Sequence, residues 1–154
     1  MSHELAIKYE PCDAFSEEGS KELAIRHSNN DAFWAVCLKS ENKVIGNLYF
    51  KQQEPIKHDT WEIGFIFNPT YWGQGYATES CRMMFQHAFE QLGAHRIIAK
   101  CNANNTSSWR LMERLHMQKE GHFRKSAYVN KDNDGNPLWH DDYLYSILCD
   151  EFIL

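Results

Sequence analysis

No apolar run in this chain approaches the roughly twenty residues that a helix needs to cross a bilayer. Nor does a cationic opening lead into an apolar stretch, so neither a membrane span nor a secretory leader is expected. Cys-x-x-Cys and His-x-x-x-His spacings are missing too, and eight histidines without them suggest no metal centre. Cys12, Cys37, Cys81, Cys101 and Cys149 are odd in number and scattered, four of them within apolar runs, and are expected to be reduced thiols of the core. The basic residues are dispersed over a chain of net charge −5, which leaves no stripe for nucleic acid and favours encounter with a cationic amine or basic peptide. The expectation is a soluble, cytoplasmic protein without metal. Long linkers, repeats and low-complexity tracts are also lacking. With 154 residues, 43% of them hydrophobic, one domain spanning 1–154 follows.

What is there alternates between strand and helix patterns. Leu5–Tyr9 is a short strand candidate that Pro11 ends, and Ser16 with the acids after it marks the start of a helix running to about Asn29-Asn30. Phe33–Lys39 and Val44–Lys51 read as a hairpin, and Trp61–Phe67 as the next strand. Ala77, Cys81, Met84, Phe85, Ala88 and Leu92 recur at helical spacing, with Gly93 placed to end that helix. His95–Cys101 is strand-like, so strand, helix and strand should make a parallel crossover. Asn105 or Thr106 caps a further helix, and Gly121–Asn130 and Leu138–Cys149 form a closing hairpin around Asp134-Gly135 and Pro137. The fold class is α/β: a mixed sheet with helices on its faces.

The stretch that organises the chain lies between Trp61–Phe67 and the long helix. Pro69 breaks the strand, and Gly73 and Gly75 carry no side chain to hold a ligand off the main chain where the helix begins. Unpaired N–H groups and the positive end of the helix dipole would face an incoming anion, and phosphate is the natural ligand. A tight turn without any ligand has the same signature. There is no Gly-Lys-Ser/Thr of a nucleotide triphosphatase loop and no third glycine of a dinucleotide fingerprint.

Trp72-Gly73-Gln74-Gly75-Tyr76-Ala77-Thr78-Glu79 resembles the acyl-CoA pyrophosphate loop of the GCN5-related N-acetyltransferases, with Trp72 where Arg or Gln is usual. That run is similar to the subgroup of ribosomal-protein alanine N-acetyltransferases. So is Asn102–Met117, where His116-Met117 replaces Gly-Phe. The match spans most of residues 33–148. Residues 1–32 are fewer than the opening strand and helical pair of the family would take, which leaves the wall of the acceptor site and one sheet edge in question.

The resemblance implies an acetyl-CoA-dependent N-acetyltransferase that transfers acetyl to a primary amine, a protein N-terminus or a small molecule, by direct attack in a ternary complex. A non-catalytic acyl-CoA-binding module is the alternative. It further implies that the pantetheine arm pairs with the backbone of Phe65, Ile66 and Phe67 as an added strand. The backbone from Trp72 through Ala77, with the Thr78 hydroxyl, would bind pyrophosphate. Asn105 and Ser108 would reach the cofactor arm, although both also suit plain helix capping. Glu62 matches a carboxylate that takes the proton of the amine, directly or through water, or else is an edge residue that keeps a strand soluble. Met112 stands where many members have a proton-donating Tyr, so Ser108 is the candidate for protonating the thiolate, with Tyr128, Tyr143 and Tyr145 unplaced. His140, Asp141 and Asp142 fall in a segment bordering the acceptor. Exposed Phe33, Trp34 and the Val44–Phe50 strand would favour a homodimer.

Overall fold

The computed structural model describes residues 8–9 and 16–153. Along it run α1 (Glu17–Ser28), β1 (Phe33–Leu38), β2 (Lys43–Gln52), β3 (Thr60–Phe67), α2 (Tyr76–Glu90), β4 (Arg96–Asn102), α3 (Thr106–Arg114), β5 (Gln118–Lys131) and β6 (Pro137–Leu148). The strands make one six-stranded sheet in the order β1-β2-β3-β4-β6-β5. Only β3 and β4 are parallel, because α2 crosses between them; the other neighbours are antiparallel. This is the expected mixed sheet.

Side chains alternate across the sheet, and the alternation assigns its two faces. Leu48, Phe50, Ile63, Phe67, Ile97, Ala99, Cys101, Tyr145 and Ile147 are buried on one face. They form one core cluster with Cys81, Met84, Phe85 and Ala88 of α2 and with Leu111 and Met112 of α3. At one helical turn apart, these residues put the apolar stripe of each helix on the sheet. The register places Tyr49 opposite Gly64 and Phe33, Asn47 opposite Ile66, and Asn102 opposite Asp142, all on the other face. There α1 approaches through His27, whose ring stacks on Phe33 at 3.7 Å between centroids. Its N-cap is Ser16, whose side chain accepts the Gly19 N–H.

Several expectations are corrected. Lys8 and Tyr9 lie in a turn rather than a strand, and Leu5, Ala6 and Ile7 lie outside the described residues. The hairpin β1–β2 carries a bulge: Val36 pairs with Gly46 and Cys37 with Val44, so Ile45 is the extra residue and turns inward to the core. α2 ends at Glu90 with Gln91 as its cap, and Gly93 beyond it takes a φ of +68° as the chain turns toward β4. Of the cysteines, Cys81 and Cys101 are buried, whereas Cys37, on the edge strand, and Cys149, in the turn after β6, are exposed; Cys12 lies outside the described residues. Ile45, Leu48 and Phe50 of β2 are buried, so the exposed part of that edge is smaller than expected: Trp34 at 44% and Val44 at 60%.

Candidate functional site

The parallel pairing of β3 and β4 is short. Thr60, Trp61 and Glu62 pair with Arg96, Ile97 and Ile98, and beyond Glu62 the two strands part. From Ile63 onward β3 keeps only β2 as a partner, and from Ala99 onward β4 keeps only β6. Main-chain groups of Phe65 and Phe67 that would otherwise complete a ladder therefore face an opening in the middle of the sheet. That opening is a cavity of about 1430 Å³, lined on one side by Ile63–Phe67, on the other by Lys100–Asn102, and closed by the loop and helix ends.

At its end β3 runs into a pinned turn. The Asn68 side chain accepts the Thr70 N–H at 3.0 Å, Pro69 opens a short 3-10 turn, and the Trp72 indole donates to the Phe67 carbonyl at 2.9 Å. The Trp72 N–H is engaged by the Pro69 carbonyl at 3.1 Å, so it is not among the open donors. The next backbone N–H to find an acceptor is that of Glu79, on the Gly75 carbonyl at 3.0 Å. Between them the N–H groups of Gly73 through Thr78 have no acceptor among the described residues, and α2 has no side-chain cap. Gly73 and Gly75 hold φ of +73° and +87°, and a Cβ on either would project into open space. A concave run of unpaired donors at a helix N-terminus has the geometry that suits an anion. Gln74 contributes its N–H only; its side chain donates back to the Thr70 carbonyl at 3.2 Å.

α3 adds the second wall. Asn105 is its N-cap and accepts the Ser108 N–H at 3.3 Å, so the capping role holds for Asn105, which also lines the cavity. Ser108 is nearly buried, lines the cavity, and its hydroxyl meets the Cys101 thiol. Burial raises that thiol to about 11, so Cys101 is a protonated thiol at neutral pH and no nucleophile. Met112 is buried in the core. Arg82 and Arg114 bring positive charge to the helical side of the cavity.

Glu62 sits at the vertex where the strands part, the last residue of the parallel pairing, on the face away from the core; it does not itself line the cavity. Nor do the tyrosines singled out from the sequence. Tyr145 is buried with its hydroxyl donating to Glu113 at 3.2 Å, Tyr143 lies under Lys119, and Tyr128 packs edge-on against Trp139. Asp141 is tied to the β5 strand by the Lys125 N–H at 2.8 Å and His122 at 2.6 Å, and is held below the usual carboxylate range by those bonds. His140 and Asp142, by contrast, line the cavity, 3.3 Å apart, and the Ser126 hydroxyl donates to Asp142 at 2.7 Å.

Sequence reasoning missed Tyr9, His27, Asn47, Tyr49 and Lys100, all on the cavity wall. The period-2 alternation of β2 and β4, read for its outward face, was the signal that could have found the last three.

The sequence profile of the Acetyltransferase (GNAT) domain matches residues 2–118. An uncharacterized N-acetyltransferase of Bacillus subtilis, YnaD, is 35% identical over 147 residues, covering 95% of this chain and 82% of that protein. A crystal structure of a GNAT-family acetyltransferase from Bacillus anthracis aligns over 97% of this chain and 85% of its own, with a TM-score of 0.86 and 35% identity. The spermidine N-acetyltransferase of Vibrio cholerae, solved in complex with CoA and spermine, shares the fold at a TM-score of 0.76 over 97% of this chain and 86% of its own, at 19% identity.

Proposed function

The chain belongs to the GNAT acetyltransferases and is an acetyl-CoA-dependent N-acetyltransferase; from that premise we propose that it transfers acetyl directly to a primary amine in a ternary complex inside the split of the sheet. The observation that carries this reading is the run of open N–H groups from Gly73 to Thr78, set at the mouth of a gap between two parallel strands. Those donors suit a pyrophosphate, with the Thr78 hydroxyl beside them, and the edge of Phe65, Ile66 and Phe67, open apart from the Phe67 carbonyl that Trp72 engages, suits the amides of a pantetheine arm. Asn105 and Ser108 line the same passage. The residues present fit the co-substrate.

In the reaction, the amine lone pair attacks the thioester carbonyl, the C–N bond forms, and the C–S bond breaks with the electron pair leaving on sulfur. An unpaired N–H of the Phe65–Phe67 edge polarises the carbonyl as its oxygen gains charge. The attacking amine must shed a proton, since an alkylamine is mostly protonated at neutral pH. Glu62 at the vertex receives it through a water, and the thiolate takes the Ser108 hydroxyl proton as solvent water replaces it. Acetyl-CoA supplied with a panel of primary amines, with free thiol as the readout, tests the reading: amine-dependent thiol release is expected, and thiol release that no amine stimulates would refute it.

The hairpin edge leaves Trp34 of β1 and Val44 of β2 uncovered, and a two-fold pair that buries them is the assembly we propose. Light scattering at high micromolar concentration should give twice the 18.1 kDa chain mass; a monomer would exclude it.

A further inference from the structure

The cavity passes through the sheet, and its two mouths differ in kind. The open N–H groups run from the turn into the first residues of α2, which packs on the core face, so the co-substrate enters from there and the amine comes from the other face. Buried Ala99 and Cys101 alternate with Lys100 and Asn102, so Lys100 projects toward the amine's face, where the register sets Asn102 opposite Asp142. Lys100 and Asp142 are thus diagonal neighbours on adjacent strands, with side-chain origins about 7 Å apart. Among the described residues Lys100 has no acidic partner, and no ion pair joins it to Asp142. Across the gap stand three rings in sequence: His27 stacked on Phe33, and Phe33 tilted against Tyr49 at 5.5 Å. Burial, and then Arg26, lower the pKa of His27, so that ring is neutral at pH 7 and adds no charge to the wall.

Building on the acetyltransferase reading, we infer that the acceptor is a small amine with a carboxylate beside its amino group, of α-amino-acid type, whose aromatic or apolar side chain lies against the rings. Its carboxylate meets Lys100 in a charge-assisted hydrogen bond. Its amino group falls on the side of Asp142, whose carboxylate is already oriented by Ser126 and His140. A polyamine fits poorly, because Lys8 and Lys100 both border this mouth, and of the two carboxylates that line the cavity among the described residues Glu79 belongs to the first turn of α2 on the other side, leaving Asp142 here. A protein N-terminus fits poorly as well: its first residue has an amide where the carboxylate should be, and Lys100 would be left without a partner.

The test measures kcat/KM at saturating acetyl-CoA for L-phenylalanine, its amide, a short peptide with the same first residue, and spermidine. Phenylalanine should exceed its amide by about 10-fold or more. In Lys100→Met that ratio should fall to near one while acetyl-CoA affinity by calorimetry is unchanged, and Lys100→Glu should invert it toward the amide and spermidine. Lys100 is exposed, so both variants are expected to fold, and acetyl-CoA binding reports that they do. Equal or better turnover of the amide, the peptide or spermidine by the parent enzyme would overturn the inference and leave the acetyltransferase reading intact. Failure of every amine to stimulate thiol release would overturn both.

Discussion

The two mouths of the cavity are built on opposite principles. On the side we propose for the co-substrate the groups on offer are consecutive main-chain ones, the edge of Phe65–Phe67 and the N–H groups of Gly73–Thr78, held by a turn that Asn68 and Trp72 pin to the end of β3. On the side we propose for the acceptor they come from side chains contributed by α1, β1, β2, β4 and β6, residues far apart in sequence that only the strand register brings together. A main-chain cradle recognises what every acyl-CoA shares and tolerates most substitutions except at its glycines. A side-chain wall can be rewritten one residue at a time without touching the cradle. One fold can therefore keep a single donor and change its acceptor.

The sharpest way to break the comparison is to put a side chain into the cradle. Gly75 has a φ of +87° and its Cβ would point into open space, so Gly75→Val both strains the turn and fills the volume where an anion would sit. Acetyl-CoA affinity should fall by about 100-fold or more, given that several hydrogen bonds to a charged group are worth about 1.5–3 kcal/mol each. Calorimetry checks this beside a thermal melt, which should drop by only a few degrees because the substituted residue touches no core side chain. An unchanged affinity in the folded variant would mean that the main chain of this loop is not the donor site.

Glu62 stands between the two halves, at the vertex, and its removal tests the chemistry rather than either mouth. In Glu62→Gln, kcat should fall by about 10- to 100-fold near neutral pH, within the range for losing a general base. The loss should shrink as the pH rises and more of the acceptor arrives already deprotonated. Acetyl-CoA affinity should stay within about twofold of the parent, since Glu62 does not line the cavity. Parallel pH profiles of variant and parent would remove Glu62 from proton transfer.

The same contrast explains what could be read from the chain. Trp61–Phe67, the Asn68–Gly75 turn and the stripe Cys81, Met84, Phe85 and Ala88 are contiguous or periodic, so strand, loop, helix and the open N–H groups between them were all legible in one window. Local signals also found the cap at Ser16 and the cap at Asn105. Lys100 carries no such mark: in sequence it is one lysine at the outward position of a strand, and only pairing across three strands sets it near Asp142 and opposite Tyr49. The indole of Trp72 was equally silent, because a bond back to the Phe67 carbonyl depends on how tightly the 3-10 turn folds. The bulge at Ile45 was invisible for the opposite reason: an alternating pattern interrupted by one residue still reads as a strand.

The smallest expected effect concerns acid. His27 is the described residue of α1 that stacks on the sheet, and α1 otherwise leans on it lightly, with Ile25 63% exposed. Burial, the larger cause, and the nearby Arg26 lower its pKa from 6.5, so the folded protein binds fewer protons at this site than the unfolded chain does. The contribution of the neutral ring is therefore fully present above about pH 6.5 and is lost as the pH falls through the lowered folded value. Because α1 leans on the sheet mainly through this one half-buried ring, the loss should be local, loosening α1 from Phe33 without unfolding the sheet. Proton NMR should show the Phe33 ring resonances shifting between pH 7.5 and pH 5, while those of Phe85, buried on the core face of α2, stay fixed. His27→Phe, which keeps an aromatic ring on Phe33 and cannot gain a proton, should abolish the shift. Persistence of the same titration in that variant would assign it to another group and would leave the acceptor wall as insensitive to acid as the cradle.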